Sequence, residues 1–425
     1  AFSAGWNVSE EKFFEALKPT VSFLKLRASW GLVGNGKILS SRFYYTPDLY
    51  TINNGGYYFG VNLNTRGYSA SESTKHNPDV TWEKAFKQDY GIDVHFLDDR
   101  LSTTFDYYLE RRKDLFCSDK TAPTLLGFTV PQANLGETKS WGWELSAKWR
   151  DKIGKNFTYW VGVNLSYNQN EIIESKEEPQ SNAYSMKKGH RIGADKTAGY
   201  KFFEYYSENT AANYEKKYGE PFPTQLISDL RYGDCTYVDL NHDGKIDSQD
   251  NTYELGFTED PEYTLGLNLG FSWKRFSVNT QWTGAWNVSR VLGGVFRYPF
   301  YTSSTYENGG LLKYQVYNSW TEDNPDPNAK YPRVSLDHGK VNNYQNSDLY
   351  MVDAKYLRLK TLQITYDFDF PFMKKIGLTN LQLGLSGYNL LTFTPFIWGD
   401  PETRVDDGPS YPLQRTYTMT LKVGF

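Results

Sequence analysis

Long runs in which apolar and polar residues alternate strictly are the feature that most constrains how this chain folds. Every second residue is apolar or aromatic between Phe157 and Asn168, and the same period of two returns between Tyr263 and Trp273. Successive side chains of a β-strand point to opposite faces, so each run predicts a strand with one apolar and one polar face. Both runs are longer than the roughly five or six residues of a globular strand. They match the roughly ten residues that a tilted strand needs to cross a bilayer.

Further strands of this kind, and the lengths of the links between them, predict a membrane barrel. Similar segments lie near 21–33, 84–97, 101–114, 138–150, 276–288, 353–368, 379–392 and 414–425, which gives about eleven strands with a partial first one. Short links at 98–100, 151–156, 274–275 and 370–380 alternate with long ones at about 34–83, 115–137, 170–260, 289–352 and 393–413. Outer-membrane barrels combine short periplasmic turns with long extracellular loops. The predicted fold class is therefore all-β, a transmembrane antiparallel β-barrel.

Composition agrees with a wall that faces lipid on one side and water on the other. Aromatic residues make up 17% of the chain, while the hydrophobic fraction is only 39% and the mean hydropathy is -0.63. Alternate polar positions and interfacial Tyr and Trp produce this pairing, although a large secreted β-sandwich fits the composition equally well. The sequence contains no run of about eighteen apolar residues, which excludes transmembrane helices. The net charge of -4 without a basic run argues against nucleic acid as a partner.

The two ends of the chain and its cysteines add smaller expectations. Apolar residues alternate from Tyr417 to Phe425 in the predicted final strand 414–425, and this end resembles the signal read by the outer-membrane assembly machinery. An ordinary edge strand is the alternative. Residues 1–8 lack the features of a signal peptide and resemble the middle of a strand, so we expect the chain to begin partway through a larger protein. The sequence leaves open whether Cys117 and Cys235 form one disulfide bridge or are two free thiols.

A series of short motifs extends along nearly the whole chain. In the first half these are Asn77-Pro78-Asp79-Val80-Thr81-Trp82-Glu83-Lys84, Tyr90-Gly91-Ile92-Asp93, Asp99-Arg100-Leu101, Tyr107-Tyr108, Lys113-Asp114-Leu115, Asn134-Leu135-Gly136-Glu137 and Gly142-Trp143-Glu144-Leu145. In the second half they are Trp320, Asn324-Pro325, Tyr331-Pro332-Arg333, Tyr356-Leu357-Arg358-Leu359-Lys360, Ser386-Gly387-Tyr388-Asn389-Leu390-Leu391-Thr392-Phe393 and Asp400-Pro401-Glu402. Each motif is weak alone, but their order and spacing resemble the SusC/RagA family of TonB-dependent outer-membrane transporters.

The resemblance implies a plugged barrel of about 22 strands, of which residues 1–425 form the C-terminal half. The N-terminal plug, the motif that contacts TonB and the first half of the barrel are then outside this sequence. An open half-barrel leaves two strand edges that hydrocarbon cannot satisfy, so the chain is expected to pair with its missing half. Closure of these strands as a small barrel of about ten or twelve is the alternative.

One segment of the long loop 170–260 has the spacing of a calcium-binding loop. The segment 239–250 offers oxygen ligands from Asp239, Asn241, Asp243, the Lys245 carbonyl, Asp247 and Asp250, with Gly244 at the turn. Calcium takes about six to eight hard oxygens from a flexible loop. Asp250 replaces the usual bidentate Glu, which lowers the expected affinity. A bound Ca²⁺ would stiffen the loop, and an Asp- and Gly-rich turn held by its own hydrogen bonds is the alternative.

No enzyme is predicted, because the sequence contains no nucleophile elbow, zinc-protease motif, phosphate-binding loop or clustered Cys and His. The carboxylate pairs Glu177-Glu178 and Asp406-Asp407 are adjacent loop residues, which are usually solvated instead of forming a glycosidase dyad.

Aromatic residues of the long loops are instead predicted to contact a substrate or a lid. They are Tyr205, Tyr206, Tyr298, Phe300, Tyr301 and Trp398. Aromatic faces stack on sugar rings and pack against peptide side chains, and in the resembled family the loops also meet a SusD-like surface lipoprotein. The sequence does not divide the six between these contacts.

The predicted function is TonB-dependent active import of a nutrient oligomer across the outer membrane of a Gram-negative bacterium. Its partners would be the plug and first half of the barrel, TonB acting through that plug, a SusD-like lipoprotein and the lipid bilayer. Oligosaccharide is favoured over oligopeptide as the cargo. A secreted glycan-binding or structural β-protein and a passive porin are the rival predictions.

Overall fold

The chain folds around one long antiparallel meander. The computed structural model describes residues 1–36, 45, 49–53, 56–74, 77–126, 130–302, 309–371, 373–403, 411 and 413–425. Within these ranges eleven strands form one sheet in the order of the sequence, with the first and last strands at its edges. They are β1 (Phe2–Asn7), β2 (Val21–Asn35), β3 (Glu83–Phe96), β4 (Leu101–Cys117), β5 (Ala133–Ile153), β6 (Phe157–Glu174), β7 (Tyr263–Trp273), β8 (Phe276–Trp286), β9 (Tyr356–Phe368), β10 (Asn380–Phe393) and β11 (Thr416–Gly424).

The two faces of the sheet differ in polarity because the register places residues of like polarity side by side. Leu165 of β6 lies opposite Leu265 of β7, while Asn164 lies opposite Gly266. The apolar face is open: Leu269 is 36% exposed and Met419 74% exposed. An apolar surface that extends over this many strands suits contact with lipid instead of water.

The connections at one end of the meander are short. They span 8–20, 97–100, 154–156, 274–275 and 369–379. Tight hairpins need left-handed backbone conformations, and Lys274 has φ 53°, Asp99 φ 64° and Gly154 φ 64°. Because consecutive antiparallel strands reverse direction, the long connections 36–82, 118–132, 175–262, 287–355 and 394–415 all lie at the other end.

The long connections contain secondary structure of their own. Short strands pair as Leu49–Asn53 with Ser69–Thr74, Tyr58–Phe59 with Thr65–Arg66, Phe202–Tyr205 with Cys235–Tyr237, and Ser289–Val291 with Met351–Asp353. The helices are α1 (Thr210–Tyr218), α2 (Gly294–Arg297) and α3 (Lys313–Asn318). Single 3₁₀ turns occur at Val8–Glu10, Lys12–Phe14, Thr124–Leu126, Ala183–Ser185, Ala194–Lys196, Ser248–Asp250, Asn342–Tyr344, Asp348–Tyr350 and Met373–Ile376. Among the described residues no helix has both the length and the apolar character needed to span a bilayer.

The predicted all-β fold class is confirmed, and the predicted strands agree closely with the observed ones. The main difference is that β5 begins at Ala133 and β6 continues to Glu174, beyond the predicted ends near residues 138 and 168. These extensions pair with each other and with β4 at the long-loop end. Strands that project past a bilayer no longer need one apolar face, so alternation does not reveal them.

Candidate functional site: the loop cap and the polar wall

Three of the long connections fold together over the long-loop end of the sheet. We call the described residues of 175–262, 287–355 and 394–403 the loop cap. One buried cluster joins Tyr205, Cys235, Tyr237 and Ile246 of the first segment to Trp320 of the second. A second cluster lies within 287–355 and packs against Trp398 of the third segment. The loop cap is therefore a folded layer with its own apolar core.

Buried asparagines hold the segments of the loop cap together. Asn342 and Asn343 are both 0% exposed. The Asn342 side chain accepts the N–H of Ile227 at 2.8 Å and donates to the Ile227 carbonyl at 3.2 Å. Asn343 Oδ1 accepts the N–H of Cys235 at 2.9 Å. Because buried backbone groups need partners, these amides satisfy backbone groups of Ile227 and Cys235.

Two of the six predicted contact aromatics belong to the core of the loop cap. Tyr205 is 5% exposed and its hydroxyl donates to the Ala329 carbonyl at 2.9 Å. Burial raises the pKa of this hydroxyl above its ordinary value. Trp398 packs against the second cluster, and its Nε1 donates to the Tyr331 hydroxyl at 3.3 Å. In this conformation both side chains hold loop segments together.

The other four predicted aromatics lie nearer the surface. Tyr206 is half-buried against Phe222 and Tyr232. Tyr298 stacks on Tyr301 with ring centroids 5.8 Å apart. Phe300, which lies between these two residues in the sequence, is 38% exposed. Contact of these residues with a substrate or a lid stays a prediction.

The segment 239–250 forms a compact turn closed by its own hydrogen bonds. Asp239 accepts the N–H groups of His242 and Gly244, both at 2.7 Å, and Gly244 has φ 86° at the predicted turn. Asp250 accepts from Leu240 and Asp247 at 2.8 and 2.9 Å.

The other side chains of this predicted ligand set are also engaged. Lys245 Nζ lies 2.6 Å from Asp247 Oδ2, and Asn241 donates to Asp243 at 3.2 Å. Across the described part of the chain, no group of three or more His, Cys, Asp or Glu side chains converges to hold a metal ion. Calcium binding stays a prediction, and it requires these oxygens to leave their present partners and converge.

Arg358 was not predicted as a site residue, yet it pairs with two carboxylates in a buried cluster. The side chain is 2% exposed on the polar face of β9. Its Nη2 donates to both carboxylate oxygens of Asp400 at 2.8 and 2.9 Å, and its Nη1 lies 3.0 Å from Glu402. Nε donates to Thr392 at 3.0 Å. The cluster ties the loop-cap segment 394–403 to the barrel wall, and the motifs that contain these residues were the only sequence signal for it.

The polar wall, meaning the polar face of β2 to β11, carries shallow depressions. One of about 420 Å³ is bordered by Asp106, Glu144, Asn164 and Thr264 of four neighbouring strands. Ion pairs cross the strands beside it: Arg27 lies 2.8 Å from Asp93 and 2.8 Å from Asp106. This face therefore presents charges and hydrogen-bonding groups to the side opposite the lipid.

The remaining sequence expectations concern the carboxylate pairs, the cysteines and the last strand. Glu177 accepts the N–H groups of Lys187 and Lys188 at 2.8 Å each, which is a structural role, and Asp406 and Asp407 lie outside the described residues. Cys117 and Cys235 are free thiols. Tyr417 and Phe425 are 75% and 88% exposed at the edge strand, and their role as an assembly signal stays a prediction.

Comparisons with known proteins agree with the resemblance found in the sequence. Residues 2–390 match the family model described as "TonB dependent receptor-like, beta-barrel". TonB-dependent receptor P3 of Formosa agariphila is 26% identical over 99% of this chain and 41% of its own length. TonB-dependent receptor SusC of Bacteroides thetaiotaomicron is 25% identical over 100% of this chain and 40% of its own length. The chain thus spans about two fifths of the length of the curated relatives that it matches.

Solved structures share the fold. The RagAB peptide importer matches over 100% of this chain in its closed-closed state, with a TM-score of 0.69 at 23% identity and 43% coverage of that chain. In its open-open state the TM-score is 0.71 at 22% identity, with 42% of that chain covered. The family match covers most of the sequence, and the eleven-stranded meander has the same fold as these importers. This chain belongs to the TonB-dependent receptor-like β-barrel family.

Proposed function

We propose that this chain forms part of a transporter that imports a nutrient oligomer across the outer membrane of a Gram-negative bacterium, with energy supplied through TonB. One observation carries the proposal: a family barrel sheet has an open apolar face, a polar opposite face and a folded loop cap at one end only. Such a wall separates lipid from a polar lumen and presents a built surface to the outside.

The two rival functions fit this arrangement less well. A secreted β-sandwich buries its apolar residues between two packed sheets, whereas the long strands described here form one sheet with its apolar face open. A passive porin shares the barrel wall, but family membership favours energised import.

A SusD-like lipoprotein, a plug and the first half of the barrel complete the proposed transporter. The relatives are more than twice as long as the matched region, which leaves room for a plug and further strands. The loop cap also exposes apolar side chains: Tyr317 and Leu336 are each 75% exposed. Exposed apolar patches of this kind favour contact with another protein.

The proposed cargo is an oligosaccharide, with an oligopeptide as the second candidate. Half-buried and exposed aromatic rings on the loop cap, including Tyr206 and Phe300, offer faces for sugar rings. The similarity to the RagAB peptide importer keeps the oligopeptide in consideration. A structural Ca²⁺ in the segment 239–250 is a further part of the proposal, supported by ligand spacing and by the turn at Gly244.

Two measurements on the native protein test this function. First, the protein is extracted in detergent and compared boiled and unboiled on a gel, and its companions are identified. We expect a mobility shift of a folded barrel and co-purification of a lipoprotein. Second, uptake of fluorescent oligosaccharides and oligopeptides is measured in cells with and without an uncoupler. A protein that is soluble without detergent, or uptake that ignores the uncoupler, would overturn the proposal.

A further inference from the structure

Two rows of aromatic residues cross the apolar face of the sheet, one near each end of the strands. Near the long-loop end the register sets six of them side by side on β3 to β8: Tyr90, Tyr107, Trp143, Tyr167, Tyr263 and Trp286. Near the short-link end the row on β6 to β9 is Phe157, Trp273, Phe276 and Tyr366. The two rows lie at opposite ends of β7, which at the usual strand tilt separates them by roughly 26 Å along the membrane normal. This matches the apolar band of an outer-membrane barrel, so the rows mark the two edges of the hydrocarbon layer.

Beyond the first of these rows, β3 to β5 carry cations on the same face. Every second residue of a strand shares a face, and the positions that continue the face of the row include Lys84, Arg111, Lys113 and Lys139. The register sets Lys84 opposite Lys113 and Arg111 opposite Lys139. Like charges that lie directly opposite each other on neighbouring strands repel. We call these four residues the basic patch.

Two of the four cations have a carboxylate partner. Lys84 Nζ lies 2.8 Å from Asp114 Oδ2, and Arg111 pairs with Glu137. The side chains of these two cations are still 49% and 56% exposed, so water screens both pairs. An ammonium and a guanidinium each have further N–H groups with which to bind a second anion.

The other two cations of the basic patch are exposed and lack an acidic partner. Within the part of the chain that the structure describes, Lys113 and Lys139 have no carboxylate within 4.0 Å. Glu171 of β6 pairs in register with Lys139 but lies beyond this distance. Lys139 Nζ lies instead 4.8 Å from the centre of the Trp141 ring. The basic patch therefore keeps a positive charge that attracts anions.

Apolar neighbours and the height of the basic patch point to a lipid headgroup. Leu32 and Phe86 pair on β2 and β3 beside the patch and are 65% and 42% exposed, a surface that suits a lipid better than a soluble anion. Arg111 and Lys139 lie four residues beyond the aromatic row, or about 10 Å above the hydrocarbon edge. The headgroup layer of a phospholipid bilayer is only roughly 5–8 Å deep on each side. An anion at the level of the patch therefore requires a larger headgroup.

We propose that the basic patch binds an outer-leaflet glycolipid whose sugar headgroup carries phosphate. This inference rests on the outer-membrane location in the proposed function and is independent of import. Phosphate oxygens between the opposed cations replace their repulsion with charge-assisted hydrogen bonds. Leu32 and Phe86 then contact the less polar part of the same lipid.

Binding of defined lipids to the full-length protein tests the proposal. The protein is extracted from its native outer membrane and washed in a neutral detergent to remove bound lipid. The fluorescent probes are a short-chain lipopolysaccharide with phosphate on its core sugars, the same molecule without its phosphates, and phosphatidylglycerol. Fluorescence anisotropy measures each dissociation constant, and inorganic phosphate is added as a competitor. We expect the phosphorylated lipopolysaccharide to bind at least about fivefold more tightly than the other two lipids.

Variants locate the binding. The double variant Lys113→Gln with Lys139→Gln removes the two cations without acidic partners and should weaken binding of the phosphorylated lipopolysaccharide about tenfold. Lys148→Gln with Lys152→Gln is the matched control, because these exposed lysines of β5 lie on the polar wall. Both double variants should keep the wild-type gel mobility shift. Equal affinity of the two double variants would contradict binding at the basic patch.

The other outcomes separate the ligand classes and the two proposals. Equal binding of the dephosphorylated molecule would overturn phosphate as the bound group, and equal binding of phosphatidylglycerol would overturn the sugar headgroup. Displacement by equimolar inorganic phosphate would show a site for free phosphate in place of a lipid. Loss of lipid selectivity in a protein that still imports its cargo overturns this inference alone. Intact selectivity without uncoupler-sensitive uptake overturns only the import function.

Discussion

At the scale of single residues, Arg358 shows how one buried cation joins the loop cap to the wall. Replacing Arg358 with Met should destabilise the segment 394–403 by about 3–5 kcal/mol, because two carboxylates would remain partly buried without their partner. Protease cleavage of this segment in the detergent-solubilised protein measures the effect. Lys187→Ala removes an exposed ion pair with Asp195 and should cost at most about 1 kcal/mol. Equal protease sensitivity of the two variants would show that the Arg358 cluster is not structural.

A second residue-scale prediction concerns the pH dependence of the loop cap. Burial raises the pKa of the Asp348 carboxyl, and the N–H of Phe202, which donates to it at 2.7 Å, only partly offsets this effect. Between the ordinary value near 4 and the raised value, the folded state keeps a proton that the unfolded chain has lost. The contribution of Asp348 to stability therefore falls as the pH rises through this window. Asp348→Asn keeps the acceptor oxygen. The melting temperature of this variant should therefore rise relative to that of the wild type as the pH is raised from 4 to 7.

Asp195 provides the opposite sign as a control. Its hydrogen bond from Lys187 at 2.9 Å lowers the pKa of the Asp195 carboxyl. The stabilisation is then present above the ordinary pKa and is lost as the pH falls through the lowered one. Asp195→Asn should therefore melt below wild type at pH 7 and approach it in acid. Parallel pH profiles of the two Asn variants would contradict the assignment.

At the scale of elements, the segment 239–250 carries the calcium prediction. Replacing Asp243 with Ala should abolish calcium binding by the full-length protein and should make the loop 175–262 more sensitive to protease when calcium is present. Asp229→Ala is a control in the same loop outside the segment. Equilibrium dialysis measures the bound ion. If Asp243→Ala changes neither bound calcium nor protease resistance, the segment is an ordinary turn held by its own hydrogen bonds.

The elements also show which parts of the structure the sequence can predict. Strands β6, β7 and β8 could be predicted because their successive residues alternate between two faces that meet different solvents. The loop cap could not, since its core aromatics, such as Tyr205 and Tyr237, follow no period. The contacts that hold it in place connect residues that are distant in the sequence, such as Arg358 and Asp400. Arg358 and Asp400 each lie in a family motif, but the motifs do not predict that the two residues are in contact.

Several other family motifs also connect segments that are distant in the sequence. The Asn134 side chain exchanges hydrogen bonds with the backbone of Thr81 at 2.8 and 2.9 Å and donates to the Asp114 carbonyl at 2.7 Å. Three motifs that are separate in sequence therefore meet at one amide. In the sequence these residues carry only the family resemblance, whereas in the structure they hold strands β4 and β5 against the loop before β3.

At the scale of the whole molecule, the orientation of the sheet in the bilayer makes a prediction about adjacent residues. Leu269 lies near the middle of β7 on the apolar face, and its neighbour Asn268 lies on the polar face. Arg in place of Leu269 should cost about 2–4 kcal/mol, because a guanidinium near the bilayer midplane lacks water and partners. Arg in place of Asn268 reaches the lumen and should cost little.

Unfolding of the full-length protein in lipid vesicles with denaturant measures both changes, with the gel mobility shift as the readout of the folded barrel. The full-length protein is needed because β1 and β11 have open edges in the described chain, and hydrocarbon does not tolerate unpaired backbone groups. A large loss for Leu269→Arg and almost none for Asn268→Arg would fix the apolar face as the lipid face. The reverse result would place lipid against the amide side chains of β6 to β8, and the proposed import function would then have to be abandoned.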